Sequence, residues 1–308
     1  MTILHQTSGR WRLGLGLSLV TLFLWGILPI ALKVTLQSLD IYTITWFRFL
    51  VSCSLLGLYL GIQGKLPKFS LIRSNYKLLA IATIFLAGNY IFFLRGLALT
   101  TAANAQVLIQ LSMLLMSLGG LVIFKEKYNR PQWIGVGVII LGFILFFQGK
   151  LNSLASSKDT YILGSFLIII GATAWAVYGL AQKQLLQSLS SVHVMLILYG
   201  GCALLFTPFA QPQTILTLDS LHLGALIFCA LNTLIAYGSF AEALEHWEAS
   251  TVSAVLASTP IVTLISTTLV SGIAPLIIPP ESLTFIAIMG ALLVVLGSVF
   301  VALGKKTN

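Results

Sequence analysis

Polar punctuation divides this chain into apolar runs that are each about as long as a bilayer is thick. A hydrocarbon core about 30 Å across needs roughly 20 helical residues to span it. Runs of that kind lie near 13–35, 41–62, 76–98, 102–124, 131–149, 160–182, 192–210, 221–243, 250–272 and 283–303. In lipid every backbone N–H and C=O must be satisfied internally, so such a run folds as a helix. Side-chain composition leaves no other solvent open. Hydrophobic residues make up 58% of the chain and charged residues 8%, against about 25% charged in a soluble domain. The expected fold is all-α and integral to the membrane, with ten transmembrane helices.

The runs fall into two sets. Trp25, Ala31, Lys33, Gln37, Ser38 and Leu39 recur in the same order and spacing as Trp175, Ala181, Lys183, Gln187, Ser188 and Leu189. Glu126, Gly135, Leu141 and Gly142 recur as Glu281, Gly290, Leu296 and Gly297. Ordered self-similarity of this sort marks a repeated unit, here residues 1–150 and 151–308. The polar stretch Leu151–Asp159 reads as the linker between them. Orientation follows the positive-inside rule. With a cytoplasmic N-terminus, the inside collects Arg10, Arg12, Lys65, Lys68, Arg73, Lys77, Lys125, Lys127, Arg130, Lys183, Lys305 and Lys306; the outside collects Lys33, Arg95, Lys150 and Lys158. Both termini are then cytoplasmic. An odd number of spans per half turns the second repeat upside down, which is the inverted architecture of many secondary transporters.

Several function classes drop out. The net charge of +9 would suggest nucleic acid in a soluble protein, but here the bases sit between spans, where topology and anionic headgroups account for them. No nucleic-acid partner is expected. Cys53, Cys202 and Cys229 lie in apolar runs without metal or redox spacing, so neither a disulfide framework nor a metal site is expected. Arg10 and Arg12 ahead of an apolar run imitate a signal peptide, but no small-residue cleavage site closes that run, and the first span reads as retained. No HExxH, GxSxG or phosphate-binding glycine loop occurs, so the chain reads as a non-enzyme without a cofactor.

Polar residues at membrane depth carry the chemistry, because burying them costs free energy unless they meet partners or a wet cavity. Asn89, Tyr90, Gln106 and Gln110 fall in the third and fourth spans, and Asn232 and Tyr237 in the eighth. Trp25, Trp175 and Tyr178 add amphipathic rings on the first and sixth. Arg48, about seven residues into the second span, either snorkels, binds a backbone carbonyl or meets a substrate anion. Pro29 and Pro260 interrupt the first and ninth spans as fixed kinks or hinges. Gly57 with Gly61, Gly135 with Gly137 and Gly142, and Gly290 with Gly297 read as packing seams. The carboxylates all fall at helix ends or in loops. Glu242, Glu245, His246 and Glu248 read as a solvated acidic loop, and no proton relay is evident.

The Leu24-Trp25-Gly26 opening, the Arg48 phrase, the run Ala98–Leu108, Phe124-Lys125-Glu126 and the stretch Gln132–Gly142 together resemble the EamA-type branch of the drug/metabolite transporter superfamily. That resemblance implies two inverted five-helix repeats and a central cavity lined mainly by the first, third, fourth, sixth, eighth and ninth spans. It also implies export of small metabolites, amino acids such as threonine, homoserine and the aromatic ones among them. One departure is Met113, where members of the group often carry proline, so a weaker kink is expected in the fourth span. The reading is a secondary transporter in the plasma (bacterial inner) membrane, with a small-molecule substrate, the lipid bilayer around it, and a homodimer left open. Export of drugs, nucleosides or sugars is the alternative within transport; a scaffold or intramembrane enzyme is the alternative outside it.

Overall fold

A computed structural model describes residues 10–123, 128–157, 159–247, 249–280 and 283–303. Among them the regular structure is helical: α1 (Trp11–Thr35), α2 (Ile41–Ile62), α3 (Phe69–Ser74), α4 (Tyr76–Leu99), α5 (Ala102–Ile109), α6 (Leu111–Ile123), α7 (Arg130–Ser157), α8 (Asp159–Leu185), α9 (Ser191–Phe206), α10 (Ser220–His246), α11 (Ala249–Leu256), α12 (Thr259–Ile273) and α13 (Phe285–Leu303), with a 3₁₀ turn at Pro212–Thr217. Eight segments are long and apolar enough to cross a membrane; Ser191–Phe206 and Phe285–Val301 are apolar but shorter. Glu126, Glu248 and Glu281, with Lys125, Lys127, Lys158, Lys305 and Lys306, lie outside the described residues.

Local chemistry sets the ends of these helices. Asp40 caps α2, its Oδ1 accepting from the backbone N–H groups of Tyr42 (2.8 Å) and Thr43 (3.0 Å). Thr101 caps α5 through the N–H of Asn104. Asp219 caps α10 by accepting from His222 N at 2.9 Å, and that bond and the His222 ring hold its carboxyl below the usual carboxylate range. After α2 the chain turns at Gly64, with φ of +65°. Gly64 N donates to Gly61 O and Lys65 N to Leu60 O, a Schellman closure that needs a residue without a Cβ at the left-handed position.

Two expectations change here. The polar stretch read as the linker is itself largely helical: α7 runs to Ser157 and α8 begins at Asp159. Polarity alone does not end a helix outside the hydrocarbon region, because water replaces lipid there at no cost to the backbone ladder. The fourth span is interrupted at Gln110 although it lacks the proline. Between α5 and α6, Gln110 N bonds Val107 O and Met113 N bonds Gln110 O, a tightening to i→i−3 bonds. The ninth span breaks the same way, Ser258 N bonding Val255 O and Ile261 N bonding Ser258 O. Pro260 therefore stands in the first turn of α12, where a missing N–H costs nothing. Pro29 lies within α1, which continues as one helix through it.

The helices pair in a pattern that survives exchange of the two halves. α4 packs along α8 as α1 packs along α10; α2 meets α9, and α7 meets α13. Glycine makes the tightest of these possible. A methyl group built at Gly142 would lie 2.6 Å from Val294 N, and one at Gly135 or Gly297 would lie 2.7 Å from the carbonyl oxygen of the other. Gly290 faces the backbone of Phe146 and Gly142 across the same seam. Gly96 and Gly164 do likewise for α4 and α8, a seam the spacing of the sequence did not announce. Gly61 and Gly137 have open space in front of them, and Gly57 sees only Leu196 at 3.5 Å. These three are not seam residues, because they lie on helix faces that no other backbone approaches.

Candidate functional site

A cavity of about 120 Å³ lies among α1, α2, α4, α5, α6, α8, α10 and the α11–α12 break. That is room for several waters or one small metabolite. From the residues singled out by sequence, Trp25, Pro29, Arg48, Asn89, Tyr90, Gln106, Gln110, Trp175 and Tyr237 line it. Leucine, Phe93 and Met113 side chains complete an apolar wall, and Ser112 and Thr259 flank the two helix breaks. Ser112, Thr259 and Phe93 were missed by sequence reasoning. The signal for the first two was a hydroxyl in the middle of an apolar run, two residues after Gln110 for Ser112 and directly before Pro260 for Thr259.

Arg48 is 2% exposed, so it does not snorkel to the membrane surface. Its Nε donates to Thr233 Oγ1 at 3.0 Å, and Thr233 Oγ1 in turn donates to Cys229 O at 2.9 Å. The guanidinium carbon sits 4.8 Å from the centre of the Tyr90 ring, a favourable cation–π distance. Among the described residues no carboxylate meets it, and its terminal nitrogens find no acceptor. Thr233 was also missed; it stands directly after Asn232 in an apolar run.

Gln106 and Gln110 are four residues apart and share one face across the end of α5. Both are buried, and among the described residues neither side-chain amide has a hydrogen-bond partner. Opposite them the aromatic groups are ordered by one another. Trp25 meets Tyr237 edge-on at 5.3 Å and leans on Phe240 at 5.6 Å, while Trp175 meets Tyr178 edge-on at 6.0 Å.

Three candidates lie elsewhere. Tyr178 is fully buried behind Trp175, its hydroxyl 3.7 Å from Met195 Sδ, and so is a support for the wall. Asn232 Nδ2 donates to Leu24 O at 2.6 Å, tying α10 to α1. Asn89 does the same for α4 and α8, Nδ2 donating to Gly171 O at 2.9 Å, although Asn89 also reaches the cavity. Pro260 lies one residue beyond Thr259, off the wall. Nearby, Thr263 Oγ1 donates to Gly26 O at 2.7 Å, joining α12 to α1 beside Pro29. The expected acidic loop is helix instead: Glu242 and His246 belong to the last turn of α10, with Glu242 exposed, His246 buried and 3.5 Å between Oε1 and Nε2. The apolar residues around that turn, Ala243 among them, carry the helix past the point where its charges begin. No group of three metal-ligating side chains occurs among the described residues.

The sequence profile of the EamA-like transporter family matches residues 12–148 and again 162–303. The chain belongs to the EamA-like transporter family. An uncharacterized transporter of Haemophilus influenzae is 36% identical over 294 residues, covering 96% of each chain. The uncharacterized inner membrane transporter YhbE of Escherichia coli K12 is 36% identical over 296 residues, covering 96% of this chain and 92% of that one. A solved crystal structure superposes with a TM-score of 0.65 at 16% identity, covering 96% of this chain and 99% of the other; at that identity the likeness is one of fold. For an EamA-like protein, the buried polar cluster now has a setting. It is a multi-pass membrane protein with a cavity, and Arg48, Gln106 and Gln110 turn polar atoms towards that cavity for which no described residue supplies a hydrogen bond.

Proposed function

We propose that this EamA-like protein is a secondary transporter of the bacterial inner membrane that exports small polar metabolites, amino acids or related compounds in the first place. The observation that carries the reading is the set of Arg48, Gln106 and Gln110 on one enclosed wall, buried and with polar groups unmatched by the protein. The free polar atoms of these three side chains face the cavity, where water or a guest can meet them, and polar groups kept at that depth are the usual mark of a substrate path. The aromatic and leucine side chains around them supply the apolar enclosure of a small-molecule site.

Mechanism follows from the packing. The pairs α4–α8 and α1–α10, each tied by an asparagine amide, move as units. The two halves, 1–150 and 151–308, are inverted repeats with both termini cytoplasmic, and they rock about the cavity between them in alternating access. Pro29 on the wall and Pro260 beside the α11–α12 break are the positions where the helices give. Pro29 has no N–H for the Trp25 carbonyl, so α1 bends there with less loss than elsewhere. The twofold exchange of helix contacts supports the repeat, and the two matching helix breaks support a moving part in each half.

The test is counterflow in proteoliposomes. Vesicles loaded with an unlabelled amino acid should accumulate the labelled one without any ion gradient. No flux for amino acids, nucleosides or sugars from demonstrably folded protein would defeat the reading.

A further inference from the structure

The wall of the cavity is lopsided in charge. It carries one fixed cation, whose terminal nitrogens are unused, and among the described residues no carboxylate. A zwitterionic guest would leave its ammonium group facing neutral amides and rings. Ring faces can hold an ammonium, but the Tyr90 face is already taken by Arg48 at 4.8 Å. Trp25 is engaged by Tyr237 and Phe240, and Trp175 by Tyr178. That leaves Phe93, a poorer cation acceptor than Trp, as the lining ring that among the described residues has no ring contact. What the wall does offer is a planar fork for two oxygens, and beside it two amides that each donate and accept.

We propose that the cavity takes an organic monoanion, with Arg48 holding its carboxylate, and that an ammonium group on the same molecule is not required. The inference rests on reading this cavity as the transport site. A 2-oxo, 2-hydroxy or N-acyl acid satisfies the site as well as the parent amino acid does, because Gln106 or Gln110 can meet a keto, hydroxyl or amide group equally. The carboxylate cancels the charge of Arg48, and no second ion pair is left to form.

A matched series sharing one benzyl group tests this on the purified full-length protein: phenylpyruvate, phenyllactate, N-acetylphenylalanine, phenylalanine, phenylalanine amide and phenethylamine. Ligand binding raises the unfolding temperature in proportion to RT ln(1 + [L]/Kd). The three acids without an ammonium should stabilise the protein at least as much as phenylalanine, and the amide and the amine should do nothing. Arg48→Gln should abolish the shift. If that variant does not fold, Arg48→Lys, which keeps the charge and loses the fork, should bind the acids at least tenfold more weakly. Stabilisation by phenethylamine or the amide, by phenylalanine alone, or by no member of the series overturns the proposal. Acids that bind but show no counterflow would leave the anion site standing and remove the transport reading. Counterflow of carboxylate-free compounds, unaffected in Arg48→Gln, would remove the anion site and leave transport standing.

Discussion

The seam between α7 and α13 and the wall of the central cavity lie in the same bilayer and are built on opposite terms. Along the seam, Gly135, Gly142, Gly290 and Gly297 bring two backbones together. Lipid offers no hydrophobic drive for helix association, so close van der Waals contact has to hold such a pair. Around the cavity the helices stand apart, and the space is edged by buried polar groups that the protein leaves unpaired. One region is closed and has no use for a guest; the other, on the proposed reading, is completed by one. Their variants should fail differently, the seam through folding and the wall through transport.

The largest effect belongs to the seam. Gly142→Ala puts a methyl group 2.6 Å from Val294 N and 2.8 Å from Gly290 O, and overpacking of that kind costs about 1–3 kcal/mol. Its unfolding temperature should drop clearly, and Gly290→Leu should leave little folded protein by size-exclusion chromatography. Gly61→Ala and Gly137→Ala, with open space before them, are the controls and should be neutral or gain up to about 1 kcal/mol. Next comes the wall. Arg48→Gln should lose most transport with the unfolding temperature nearly kept, and Gln110→Ala should lose about three- to tenfold in flux, the value of one hydrogen bond to the guest. Asn232→Ala sharpens the comparison. Its amide ties α10 to α1, so it should behave as a seam variant, losing about 1 kcal/mol of stability before it loses substrate affinity. The smallest effect is expected at Asp40→Ala, which removes the α2 cap for about 1 kcal/mol and leaves substrate affinity untouched.

Spans were largely legible in the sequence because a bilayer demands long apolar runs: eight segments are long and apolar enough to cross, while Ser191–Phe206 and Phe285–Val301 are apolar helices of shorter length. Breaks inside runs were not. The fourth span was expected to bend less without proline at Met113, yet it tightens at Gln110 as the ninth does at Ser258. α5 and α12 are neighbours, and no single residue announces the interruption in either span. The polar residues of the wall could be read, since Arg48, Gln106 and Gln110 are expensive at that depth wherever they point. Which polar residue meets the cavity and which meets a neighbouring backbone could not. Asn89 and Asn232 look alike in sequence and both bond a carbonyl, but only Asn89 also lines the cavity. The glycine seams were half legible: Gly135 and Gly142 lie on the α13 side of α7, whereas Gly137, two residues from Gly135, points away.

The central claim is that the cavity serves the two sides of the membrane in turn. Ser112 sits on its wall and is 3% exposed. With Cys53, Cys202 and Cys229 replaced, a cysteine introduced there should react with a membrane-impermeant thiol reagent applied from either face of sealed vesicles, and a bound carboxylate substrate should slow both reactions. Labelling from one face only, whatever the substrate present, would contradict the account.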